Sequence, residues 1–183
     1  LWTRVYANDL SQTSSSSFDQ ILIDNDTIVA FGNGNITNVS GQNQTLLFAK
    51  TDLDGNLYWG KNYKIEGESV TAVKMLELPD GYLLFDKSYI FGYHILRIDK
   101  QGNLIWAKKF ENPIGIAYDF ADLQNGFVHF TGYSGFNIGK MTLDGVVIGD
   151  DCVTLSDITV IVSDLPANDE LRQVQMLSKN IPF

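Results

Sequence analysis

The chain has 183 residues, 44% hydrophobic and 19% charged, with a formal net charge of −9. This length fits one ordinary domain or a small repeat array, and the composition excludes a disordered tail. The acidic balance argues against a nucleic-acid or anionic-membrane binder, which needs cationic excess, and no apolar run reaches the roughly 20 residues of a membrane-spanning helix; a single cysteine, Cys152, leaves no internal disulfide and no multi-cysteine metal site.

In chain order, Leu1-Trp2-Thr-Arg-Val-Tyr6 reads as a strand already under way, with no initiating Met and no signal segment. The final residues, Ser178 to Phe183, carry no stop pattern, so a piece of something longer is expected. Residues 11–17 and the polar stretch from Gly32 to Thr45 read as loops, being rich in Ser, Asn and Gly. Between them, Asn25-Asp-Thr-Ile-Val-Ala-Phe31 reads as a hairpin turn leading into a strand. Four strands follow at 69–76, 82–86, 94–98 and 103–110, partly alternating and punctuated by Asp-Gly and Gln-Gly-Asn turns. Residues 154–163 read as a further strand, and only 168–177 carry a helical period.

Two landmarks recur. The first is Lys50-Thr-Asp-Leu-Asp-Gly-Asn-Leu-Tyr-Trp59-Gly-Lys61, then Arg97-Ile-Asp-Lys-Gln-Gly-Asn-Leu-Ile-Trp106-Ala-Lys108, then Lys140-Met-Thr-Leu-Asp-Gly-Val-Val-Ile148; its glycines, Gly55, Gly102 and Gly145, are 47 and 43 residues apart. The second is Asp80-Gly-Tyr-Leu-Leu-Phe85 and Asn125-Gly-Phe-Val-His-Phe130, with glycines 45 residues apart. Units of this length with four strands have the arithmetic of β-propeller blades. The run Asp-x-x-Gly-Asn-x-x-Trp, ending at Trp59 and at Trp106, resembles the blade repeat of PQQ-like and related bacterial β-propellers, as does the Asp80-Gly81-Tyr82 hairpin. The third copy departs from it, since Gly145 is followed by neither Asn nor Trp. The resemblance implies an all-β fold of three to four four-stranded antiparallel blades, possible members of a larger ring. The repeat region is expected over 1–150, with a partial blade at 1–10 and blades at 18–64, 65–110 and 111–152. Residues 153–183 are expected to supply closing strands or a linker. Trp2, Trp59 and Trp106 recur at one position and are expected to pack between neighbouring blades.

Chemistry-bearing patterns are sparse. Asp52-Leu-Asp54-Gly55-Asn56 has the look of a calcium-loop fragment, but the place of the bidentate Glu falls on Tyr63, so a capped hairpin turn is the expectation. His94 and His129, the only histidines, would need to sit on neighbouring blades with a carboxylate to bind a metal; structural roles are expected of both. Cys152 lies beside Asp150 and Asp151, which disfavour its thiolate. Glu111, Asp119 and Asp122 are acids without a catalytic pattern. No Gly-x-Ser-x-Gly elbow or phosphate loop is present. Asn25, Asn35, Asn38 and Asn43 open Asn-x-Ser/Thr sequences, and Asp26-Thr27-Ile28 fits an Asp-Thr-apolar acceptor pattern.

The reading reached is a non-enzymatic module of an extracellular or cell-surface bacterial protein, at the outer face of the outer membrane, without cofactor or metal. Its partner is expected to be a protein or glycan of the cell envelope. The contact region is expected at Asn35 and Asn38, in the 33–45 loop, with Tyr89, Phe91 and Tyr93, and with Tyr133 and Phe136, because equivalent turns carry aromatics that a plain turn does not need. The alternatives are an accessory subunit docked on an outer-membrane transport or secretion complex, and part of a quinoprotein or carbohydrate-active enzyme.

Overall fold

A computed structural model describes residues 16–38, 41–88, 92–111, 117–124, 126–132, 137–148 and 154–165. All regular structure among them is β, with no helix. Twelve strands form three consecutive antiparallel meanders. The first holds β1 (Ser17–Asp24), β2 (Thr27–Asn38), β3 (Gly41–Asp52) and β4 (Leu57–Ile65). The second holds β5 (Val70–Leu78), β6 (Gly81–Ser88), β7 (Gly92–Asp99) and β8 (Leu104–Glu111). The third holds β9 (Ala117–Gln124), β10 (Phe127–Gly132), β11 (Asn137–Thr142) and β12 (Val147–Ile148). Residues 154–163, read from sequence as one strand, hold two, β13 (Thr154–Asp157) and β14 (Val160–Asp164), which add a fifth strand to the second and first sheets respectively.

The first sheet packs against one face of the second, through Val29, Phe31, Leu46, Phe48 and Tyr63 on one side and Val70, Tyr82, Leu84, Leu96 and Ile98 on the other. The opposite face of the second sheet presents Leu83, Phe85, Tyr93 and Ile95 to Val128, Phe130 and Met141 of the third. The second sheet is therefore apolar on both faces. This is why Tyr82 to Phe85 is a continuous apolar run, whereas β1, with only one face covered among the described residues, alternates between half-buried and exposed positions.

The repeated motif builds the same turn each time. The Gly55 and Gly102 amides donate to the Asp52 and Asp99 carbonyls, and Gly145 donates to that of Thr142. The three glycines have φ of 77°, 78° and 73°, a left-handed conformation that an L side chain strains to adopt. Asp52 Oδ1 accepts from the Asn56 amide at 2.7 Å and Asp99 Oδ1 from the Asn103 amide at 2.8 Å; each Asn side chain donates to the second carboxylate oxygen. In the third copy, Thr142 Oγ1 replaces the carboxylate and accepts from the Val146 amide at 3.2 Å. The Asp-Gly-Asn sequence is thus a capped hairpin turn.

Trp59 and Trp106 occupy equivalent places, opposite Lys50 and Arg97 and each beside a register shift in its sheet. Each indole reaches the turn glycine of the following sheet: a Cβ on Gly102 would lie 2.9 Å from the Trp59 ring, and one on Gly145 would lie 3.2 Å from that of Trp106. Tyr63 Oη adds a 2.7 Å hydrogen bond to the Gly102 carbonyl.

One expectation is corrected. The polar stretch 32–45 is mostly strand: β2 runs to Asn38 and β3 starts at Gly41, in register from Asn38↔Gly41 to Thr27↔Asp52. Backbone pairing across a long hairpin overrides the weak strand propensity of Asn, Gly and Gln.

Candidate functional site

In each sheet the second and third strands are joined by a hairpin, and these three hairpins mark one end of the strands. The β2–β3 pair carries Asn35 and Asn38; residues 89–91 connect β6 to β7, and 133–136 connect β10 to β11. Asn35 lies opposite Gln44 and Asn38 opposite Gly41, so both sit on the arms of their hairpin. The side chains of Asn35 and Asn38, and residues Tyr89, Phe91, Tyr133 and Phe136 entirely, lie outside the described residues. Tyr93 differs from its expectation as an exposed rim aromatic. It is only 5% exposed, because strand alternation turns it with Ile95 into the core shared with the third sheet.

Below these hairpins the first two sheets are joined by polar side chains. The Asn33 Oδ1 accepts from the Ala72 amide at 2.7 Å, and Ser69 Oγ accepts from the Gln44 amide at 3.1 Å. The Thr71 hydroxyl donates to Gln44 Oε1. Gln20 bridges the bulge between Ala72 and Lys74: its Oε1 accepts from the Met75 amide at 2.8 Å and its amide donates to the Val73 carbonyl. A bulge leaves backbone groups without ladder partners, and one glutamine serves both.

Beneath the β6–β7 hairpin lies a buried ionic cluster. His94 and Asp86 are directly opposed in the β6–β7 register and have no solvent exposure. Their Nδ1···Oδ1 separation is 2.6 Å. Glu68, from the β4–β5 connection, places Oε2 3.2 Å from His94 Nε2 and Oε1 3.4 Å from Lys109 Nζ. Burial alone would lower the His94 pKa, but the hydrogen bond to Asp86 and the charges of Asp86 and Glu68 reverse this, so the imidazole is held above its ordinary value. Burial raises the Asp86 pKa, against the opposing pull of His94. The arrangement resembles a base with an orienting carboxylate, yet neither ring nitrogen reaches solvent, and Glu68 stands where a nucleophile would have to be. Its chemistry is structural: it ties the inter-sheet connection to the centre of the second sheet.

At the opposite end, Asp24, Asn25, Lys50, Glu77, Leu78, Pro79 and Lys100 line an open groove of about 650 Å³. Lys50 lies 3.2 Å from Asp24, and Lys100 lies 2.7 Å from Glu77 and over the Tyr82 ring. The Lys50 hydrogen bond and the nearby Lys100 charge hold the Asp24 carboxyl below its usual value. The groove's charges thus meet charges of opposite sign within the protein itself.

The two histidines are not brought together. His94 faces the first sheet, whereas Val128 and Phe130 point into the second core and direct the intervening His129 to the far face of the third sheet. Asn25, at φ 53°, donates to Asp24 within its turn. Glu111 accepts from the Ser156 hydroxyl. Cys152 and Trp2 lie outside the described residues, as do the side chains of Asp119 and Asp122. Glu68, Asp86 and Lys109 were absent from the sequence-based candidates. Asp86 lies opposite His94 in the β6–β7 register, so pairing register was the signal for that contact. Comparison with family models, with curated proteins and with solved structures gives no match.

Proposed function

We propose that this chain is a non-catalytic β-propeller module of an extracellular or cell-surface protein, presenting its second-to-third-strand hairpins as a recognition surface for a protein or glycan. The observation that carries the reading is the repeated seam, in which an indole of one meander lies beside the turn glycine of the next, Trp59 at Gly102 and Trp106, together with Lys108, at Gly145. A contact that repeats from one meander to the next is what a radial stack of blades would require. The far face of the first sheet exposes Ile21 and Ile23, at 70% and 65%, as a face that fits one more sheet. Recognition, rather than catalysis, is favoured because the one histidine–carboxylate pair described is sealed. The strands that lead into the first two of these connections are cross-linked by Asn33, Gln44, Ser69 and Thr71.

The test is a glycan array and an envelope-protein pull-down with the whole chain, repeated with Tyr89→Ala/Phe91→Ala and with Asn35→Ala/Asn38→Ala. Loss of the captured ligand with unchanged thermal unfolding supports the reading. Ligands captured equally by these variants, or no ligand in either format, would sink it. Small-angle scattering that excludes radially arranged sheets would remove its structural basis.

A further inference from the structure

The hydrogen on His94 is placed by its neighbour. Asp86 Oδ1 lies 2.6 Å from Nδ1, so that nitrogen carries a hydrogen and donates it to the carboxylate. Nε2 then carries one only when the imidazole is protonated. Glu68 Oε2 lies 3.2 Å from Nε2. Charge rather than alignment holds this contact, since neither atom completes a hydrogen bond with a described residue. With the imidazolium in place, the carboxylates of Asp86 and Glu68 meet the cations of His94 and Lys109. With neutral imidazole, the Nε2 lone pair faces the Glu68 carboxylate, which is left with Lys109 at 3.4 Å. The charges bearing on the ring are Asp86 from β6, Lys109 from β8 and Glu68 from the β4–β5 connection; among the described residues the first sheet adds none.

The segment that carries Glu68 is lightly held. Its turn is open, since a Cβ on Gly67 would meet nothing within 4 Å. Its backbone hydrogen bonds are long, 3.2 Å from the Glu66 amide to the Thr159 carbonyl and 3.3 Å from the Glu68 amide to that of Ile65. The next residue, Ser69, accepts from the Gln44 amide, and Thr71 donates to the Gln44 side chain. A displacement of Glu68 therefore passes directly to the seam between the first two sheets.

We propose that His94 and Glu68 form a pH-operated latch, in which the imidazolium holds the β4–β5 connection closed and loss of its proton releases Glu68 to solvent and opens the Ser69–Gln44 contact with the β2–β3 pair. The sign follows from the contact itself: closed at lower pH, open as pH rises through the His94 titration. Despite burial, the Asp86 bond and the charges of Asp86 and Glu68 hold that titration above the ordinary histidine value. Release exchanges a buried carboxylate facing a lone pair for a hydrated one, which is the favourable direction once the imidazole is neutral. The latch stands whether or not the hairpins bind a ligand.

Amide hydrogen exchange in the full-length chain tests it, with the His94 titration followed by its ring proton shifts. On passing to the alkaline side, protection of the Gln44 amide is expected to fall about tenfold further than that of Leu84 in β6. Leu84 is fully buried in the core and reports global unfolding. A parallel fall of both amides, or an unchanged Gln44, overturns the latch. In Glu68→Gln the carboxamide donates to the neutral Nε2 and keeps the connection closed on both sides of the titration. The extra loss at Gln44 is therefore expected to vanish in this variant, and a loss as large as in the wild type equally overturns the proposal.

Discussion

Gly102 shows how one residue carries both a local and a long-range requirement. Its φ of 78° serves the turn, and its lack of a side chain admits the Trp59 ring from the preceding sheet. Gly102→Ala is expected to cost about 2 kcal/mol, combining the left-handed strain with displacement of the indole; urea unfolding reads it. Gly67→Ala has φ strain of the same kind but nothing within reach of the added methyl, so it is expected to cost about half as much. His94 supports a prediction about pH. Its raised pKa means the folded state holds a proton that the unfolded state releases more readily. The stabilisation is fully present below the ordinary histidine value of about 6.5 and is lost as pH rises through the raised value. Asp86, also raised, acts with the same sign beginning at lower pH. Unfolding free energy is therefore expected to fall between mildly acidic and alkaline pH, with the fall reduced in His94→Gln; an equally steep decline in that variant would refute the assignment.

Among the elements, the third β11–β12 turn is the weakest copy. Thr142 Oγ1 makes one capping bond where Asp52 and Asp99 each make bonds to both the amide and the side chain of an Asn. Thr142→Asp with Val146→Asn rebuilds the stronger cap and also removes an exposed apolar side chain, Val146 being 58% exposed. A gain of about 1 kcal/mol is expected, read as a shift in the denaturation midpoint, with slower exchange at the Val146 amide as its local signature. The same comparison shows what sequence conveys at this scale. The third turn was recognisable from its Asp-Gly step, and the loss of Asn and Trp after it was visible at once. The extension of β2 and β3 through 32–45 was not, because Asn and Gly favour turns locally and only the opposing strand makes them extended.

Across the whole molecule, burial follows position in the stack. Phe85 lies on a face of the second sheet covered by the third and is fully buried, whereas Ile21 lies on a face of the first sheet that no described residue covers. Phe85→Ala is expected to cost about 3–5 kcal/mol and Ile21→Ala less than about 0.5 kcal/mol, although both are large apolar strand residues. Equal costs in equilibrium unfolding would contradict the stacked order. The continuous apolar run at 82–85 fits a strand buried on both faces, but the middle place of the second sheet comes only from which sheets cover it.

The amino-acid sequence by itself determined the strand class, the repeat length, the turn positions and the inter-sheet role of the tryptophans, because each follows from local rules: which residues tolerate positive φ, and which spacing recurs. Only the tertiary structure decided that Glu68 and Lys109 join Asp86 and His94, that Tyr93 points inward, and that two short acidic strands clasp the edges of the first and second sheets in the same register. These depend on which chain segments lie side by side. Contacts between residues distant in sequence arise from sheet stacking and edge pairing, which no local pattern encodes.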